Sequence, residues 1–131
     1  MRVVIMGCGR VGASLAISLD QEGHEVTVID ISAQSFSRLP PSFSGTAMVG
    51  DGMDEDVLAA AGTEGADVFI AVTQGDNRNI MASQMAKVFF HARRVVTRIY
   101  DPIRQEIFRD LGLITYSPTK VLTKMIREAI A

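Results

Sequence analysis

The chain has no tryptophan and a single cysteine among its 131 residues. One cysteine, Cys8, excludes an internal disulfide, and no charged start followed by a long apolar stretch and a small-residue cleavage site marks a secretory signal. Together these two absences predict a cytoplasmic setting. Long hydrophobic runs are missing as well. The longest are strand-length, such as residues 68–72, far short of the ~20 residues needed to cross a bilayer, so no direct membrane insertion is expected. Nor is there an excess of one charge. Thirteen Lys and Arg stand against fifteen Asp and Glu, and a net charge of -2 leaves no basic field for nucleic acid or anionic lipid.

What is present is a regular alternation. Apolar runs at residues 3–6, 26–29, 47–49, 68–72, 95–100 and 113–116 are separated by helical patterns. Several runs are apolar at successive positions, which suits strands covered on both faces. The expected fold is therefore α/β: a Rossmann-like, doubly wound parallel sheet of six strands in the order 3-2-1-4-5-6, with helices on both faces. At this length one domain is expected, too short for a dehydrogenase with its own substrate domain. Asp76, Asp101 before Pro102 and Ser117 before Pro118 are predicted helix caps, and Gly62 and Gly112 the matching stops. Pro40 and Pro41 end any helix begun at Ser32, so residues 32–45 are predicted as loop. The last predicted helix, residues 118–130, carries an apolar stripe of Val121, Leu122, Met125, Ile126, Ala129 and Ile130 that would pack on its own sheet or on another subunit.

The motif that carries chemistry is Gly7-Cys8-Gly9-Arg10-Val11-Gly12, set between the first strand and a helix with Val11, Leu15 and Leu19 on one predicted face. In such a loop the first glycine permits the tight turn and the second lets a pyrophosphate reach the backbone. The third lets helix and strand pack closely. Free N–H groups at the helix start then face the phosphates. The second strand ends in Asp30, 18 residues after Gly12, where a carboxylate accepts the hydroxyls of an adenosine ribose. The same carboxylate would repel a 2'-phosphate, and Ile31-Ser32-Ala33 contains no arginine to offset it, so NAD(H) is expected over NADP(H). Cys8 at the helix mouth is read as a small spacer, with a redox thiol as the alternative. His24 and His91 have no ligand-like neighbours, and no metal site is expected.

Further signatures follow: Val49-Gly50-Asp51-Gly52, Ala71-Val72-Thr73, Asp76-Asn77 and Arg98-Ile99-Tyr100-Asp101-Pro102. With the glycine loop they resemble the N-terminal nucleotide-binding lobe of the TrkA and KtrA family, the RCK (KTN) regulators of prokaryotic potassium transporters and channels. The resemblance covers essentially the whole chain. It implies that Gly7, Cys8, Gly9, Arg10 and Val11 hold phosphates, Asp30 the ribose, Asp51 and Gly52 the adenine end, and Thr73, Gln74 and Arg98 the rest of the cleft. It gives Arg10 the terminal phosphate of ATP, sometimes across a subunit boundary. For Arg98 the alternative is an ion pair with Asp101 or another surface acid, for Asp51 and Thr73 it is turn and cap chemistry, and for Arg10 a solvated charge on the helix face. The implied ligand is NAD(H), with ATP, ADP or AMP as alternatives. The implied partners are a second copy of the chain, as a homodimer or larger homo-oligomer, and a membrane-embedded potassium transporter or channel at the inner face of the membrane. In that family the final helix joins dimers and leads to a second lobe, absent from these residues. No poised acid or base, nucleophile elbow or Walker lysine is visible, so binding without catalysis is expected. The competing readings are an NAD-dependent oxidoreductase fragment and a free-standing nucleotide sensor with a non-transport partner.

Overall fold

Six strands, β1 (Arg2–Met6), β2 (Glu25–Asp30), β3 (Thr46–Val49), β4 (Val68–Ala71), β5 (Arg94–Arg98) and β6 (Ile114–Tyr116), make one sheet in the computed structural model, which describes residues 1–131. Every pairing is parallel, and the order is β3-β2-β1-β4-β5-β6, as expected from the alternating pattern. Five helices connect or follow them: α1 (Arg10–Gln21), α2 (Glu55–Ala60), α3 (Asp76–Val88), α4 (Pro102–Asp110) and α5 (Pro118–Ile130).

Strand periodicity divides the core in two. Val3, Ile5, Val26, Val28 and Ile70 point toward α1, where they meet Ala13 and Ala16. Val4, Met6, Ile29, Phe69 and Val95 point the other way, onto Leu58 of α2 and Ala82 and Ala86 of α3. The face that α1 buries is built from small residues, Gly12, Ala13 and Ala16, with Leu15 and Leu19 packed beside it. Val11 instead stands 47% exposed, turned out of the expected stripe, because the helix lies too close to the sheet for a large side chain in its first turn.

Asp101 and Ser117 cap α4 and α5 as predicted, each accepting an N–H from the first turn behind a proline. Gly62 and Gly112 close their helices with positive φ. Asp76 does not cap α3. Gly75 holds that position, and the Asp76 carboxylate instead accepts the backbone N–H groups of Tyr100 and Asp101 at 2.8 and 3.1 Å. The segment predicted as loop contains a 3-10 helix, Ala33–Arg38, that stops short of the two prolines. Its Phe36, followed by Leu39, packs against the α1-side core. That burial stabilises a turn that local propensity alone would not favour. Helix α5 has no buried residue, so the Val121, Leu122, Met125, Ile126 and Ile130 stripe is not packed on its own sheet. Met81 of α3 is 52% exposed, whereas Met85, one turn later, packs against the core.

Leu58 is completely buried at the centre of the α2–α3 side. Leu58→Ala is expected to lower unfolding free energy by about 2–5 kcal/mol, read as a shift of the urea midpoint at unchanged slope.

Candidate functional site

The strand order reverses between β1 and β4, and there the carboxyl ends of adjacent strands diverge into the crevice where open parallel sheets bind ligands. A cleft of about 620 Å³ opens at this place. Of the residues expected there, Gly7, Gly9, Arg10 and Val11 form one wall, Asp30 the β2 end, and Thr73, Gln74 and Arg98 the far side. Gly52 lies in a smaller hollow of about 120 Å³ that shares Asp30 and Thr73 with the cleft, and so extends it toward β3. Asp51 lines neither cavity. Its carboxylate accepts the Met53 N–H and pairs with Arg78, the ion pair spanning 3.0 Å. Cys8 and Gly12 stand behind the loop, buried.

The three loop glycines have separate causes. A Cβ on Gly12 would collide with the Gly7 carbonyl oxygen, and one on Gly7, whose φ is +111°, would stand 2.9 Å from the Thr73 nitrogen. Those two positions are fixed by the close approach of α1, β1 and β4. Gly9 is different. Its φ of -78° suits any residue, and a Cβ there would meet nothing of the chain within 4 Å. Packing within the domain does not require glycine at that position; a group lying against the backbone from outside would.

Helix capping is arranged to match. Asp54, Asp101 and Ser117 cap α2, α4 and α5 with side-chain oxygens, whereas Gly9 of α1 and Gly75 of α3 supply no side-chain capping bond, and the start of α1 lies at the cleft wall. Uncapped N–H groups and the positive end of the helix dipole favour an anion there.

Asp30 is held in place by the chain itself. One carboxylate oxygen accepts the Cys8 N–H at 2.8 Å and the other the Ser32 N–H at 2.9 Å. Each oxygen keeps a lone pair for a hydroxyl donor. Burial raises the pKa of the Cys8 thiol, and the Asp30 charge raises it further against a smaller lowering by Arg38. Cys8 is thus a protonated spacer, the opposite of an activated thiolate.

On the far side Arg98 makes no ion pair with Asp101. Its Nη2 donates to the Val72 and Thr73 carbonyls at 2.6 and 2.8 Å, its guanidinium carbon lies 5.0 Å from the Tyr100 ring centre, and its buried Nε has no partner. A cation held by neutral oxygens keeps its full charge for whatever enters the cleft. Asn79 of α3, completely buried, fixes this wall. Its Oδ1 accepts both the N–H and the hydroxyl of Thr73, and its Nδ2 donates to the Thr73 and Arg98 carbonyls.

Four lining residues were not expected as site residues. Val72 lies between β4 and Thr73. Tyr100 follows Arg98 at the end of β5, and Ser35 and Arg38 come from the 3-10 helix. A three-residue repeat eclipses positions i and i+3, which puts Ser35 and Arg38 on one face; the spacing was readable, but only once the segment was known to be helical.

A protein-family model described as the TrkA-N domain matches residues 3–117. The Trk system potassium uptake protein TrkA of Streptomyces coelicolor is 48% identical over 131 residues, which are 99% of this chain and 59% of that relative. The chain thus spans little more than half of that relative's length. Among solved structures, the TrkA-N domain of inner membrane protein ybaL from Escherichia coli superposes with a TM-score of 0.87 at 17% identity, covering 99% of this chain and 96% of that one. The Kef C-terminal domain of Shewanella denitrificans in its AMP-bound form superposes at 0.77 and 21% identity, over 99% and 80% of the two chains. At those identities the structures speak for the fold, while the family match and the Streptomyces coelicolor relative carry the descent: the chain belongs to the TrkA-N domain family.

Proposed function

We propose that this domain is the nucleotide-sensing lobe of a regulator of potassium uptake, taking NAD(H), or alternatively ATP, ADP or AMP, into the cleft and acting by binding instead of catalysis. The observation that carries the reading is Gly9, a glycine with no reason inside the fold, beside helix N–H groups with no cap. The name of the Streptomyces coelicolor relative supports the link to potassium uptake, and the AMP in the Kef domain supports an adenine nucleotide. In this reading Gly7, Gly9, Arg10 and Val11 hold the phosphates, Asp30 the ribose hydroxyls, and Gly52 the adenine end. Thr73, Gln74 and Arg98 take the remainder of the ligand. A membrane-embedded transporter or channel is the proposed partner. The exposed stripe of α5 is proposed to join a second copy or a following lobe.

Regulation requires that the ligand bind two conformations unequally. The hydrogen bonds of the far wall supply a physical connection. Tyr100 lines the cleft, its N–H is held by Asp76, and its carbonyl accepts the hydroxyl of Ser117, the cap of α5. Asp101, next in the chain, caps α4. A ligand that displaces Tyr100 therefore acts at once on the starts of α4 and α5.

Calorimetry with NADH and ATP tests the reading. Gly9→Val is expected to keep the wild-type melting temperature and lose at least about tenfold in affinity, because its side chain fills space the fold leaves open. Gly12→Ala is expected to destabilise the fold itself. Failure of wild-type protein to bind either nucleotide would discard the proposal. Asn79→Ala strips partners from buried groups of Thr73 and Arg98, with an expected cost of about 2–4 kcal/mol in urea unfolding and weaker nucleotide binding; unchanged stability would show that the far wall does not depend on this side chain.

A further inference from the structure

The cleft holds more positive charge than its glycine loop and acidic strand end account for. Arg10, Arg38 and Arg98 line it against one carboxylate, Asp30. None of the three arginines is in an ion pair; the pairs in the chain are His24–Glu22, Arg78–Asp51, Arg109–Asp110 and Lys120–Glu106. Arg38 is the one that changes the chemistry of the Asp30 end. Its only hydrogen bond runs from Nη1 to the Cys8 carbonyl at 3.4 Å, beyond the 2.7–3.2 Å range of a well-made bond. The amide of that same Cys8 is held by Asp30, so guanidinium and carboxylate meet at one residue of the phosphate loop. Ser35, one 3-10 turn earlier, adds a hydroxyl on the same side.

The surroundings leave room for an anion. Arg10 and Arg38 also flank a hollow of about 460 Å³ along α1, with Ser14 and Ser18 among its lining, so the space beside both guanidiniums is open on two sides. Both Asp30 oxygens already accept backbone N–H groups, which offsets part of the charge that would repel a phosphate. An arginine near the ribose end of the second strand is the general means by which a dinucleotide fold accommodates a 2'-phosphate, and a planar guanidinium suits phosphate oxygens as a two-pronged donor.

We propose that Arg38 is a specificity-determining residue that lets this site accept adenine nucleotides carrying a phosphate on the adenosine ribose, NADP(H) among them, alongside those without one. This rests on the reading of the cleft as an adenine nucleotide site. It revises the expectation that the residues after Asp30 leave a 2'-phosphate unpaired. That expectation considered only the next three residues in an extended chain, whereas the 3-10 helix returns the eighth to the same end of the cleft.

The test is calorimetry on the full chain with two matched pairs, NADPH against NADH and adenosine 2',5'-bisphosphate against AMP, in wild type, Arg38→Gln and Arg38→Lys. Wild type is expected to bind NADPH within about threefold of NADH or tighter. Arg38→Gln is expected to lower the NADPH-to-NADH affinity ratio by about tenfold and the bisphosphate-to-AMP ratio equally, with Arg38→Lys between, as befits loss of a charge-assisted fork. Raising the salt concentration should shrink the wild-type ratio toward that of Arg38→Gln. Binding of NADH with NADPH more than about thirtyfold weaker would overturn the inference while sparing the nucleotide site. So would a ratio that Arg38→Gln leaves unchanged in either pair. Binding of no nucleotide would remove both.

Discussion

Everything in this domain is arranged around the contact between the start of α1 and the ends of β1 and β4. Gly12 lies against the Gly7 carbonyl, and Gly7 lies against the Val72–Thr73 backbone, so helix, strand and neighbouring strand meet with no side chain between them. That approach sets the small-residue face of α1, turns Val11 outward, and brings the uncapped helix start to the crevice between β1 and β4. The position of the cleft therefore follows from backbone packing, while side chains such as Arg10, Arg38 and Arg98 line it. Gly7 and Gly12 serve stability, whereas Gly9 serves no packing within the domain.

The far wall follows another logic. Asn79 satisfies each of its own polar atoms while fixing Thr73 and the end of β5, and Arg98 reaches back across those same carbonyls. Buried amide networks of this kind hold position well because any displacement leaves a polar group without a partner. Arg98 thus arrives at the cleft already oriented, with little freedom left to lose when an anion binds. Arg10 and Arg38 are exposed and less restrained, so the two sides of the cleft differ in rigidity as well as in charge.

Much of this was legible in sequence. The strand order, the loop with its acid and the caps at Asp101 and Ser117 all follow from local patterns that the tertiary structure reinforces. The misreadings share one cause, which is that tertiary contacts override local preference. The turn from Ala33 to Arg38 forms because Phe36 and Leu39 find a hydrophobic surface that no local pattern could reveal. Asp76 looked like a cap because it opens a helix, but two amides of the next strand end lie within its reach and take the carboxylate. Asp51, assigned to the adenine end by resemblance alone, accepts the Met53 N–H and pairs with Arg78, a contact 27 positions later in the chain that no local pattern announces. Asn79 had no motif to mark it, since its role exists only once α3 packs over β4 and β5.

The hydrogen bond from Ser117 to the Tyr100 carbonyl has a mechanical meaning. Helix α5 is 13 residues long, with no buried residue and few ties beyond its cap and the bonds from Lys120 to Gln105 and Glu106. At its cap it hangs from the backbone of a residue in the cleft wall. A rod of that length measures about 20 Å, so a tilt of about 5° at its base sweeps the tip through nearly 2 Å. The base is where a ligand would push, and the tip carries Ile130, the most exposed member of its apolar stripe. A shift of the Tyr100 backbone would tilt α5 at its base, and residues further along the helix would move in proportion to their distance from Ser117.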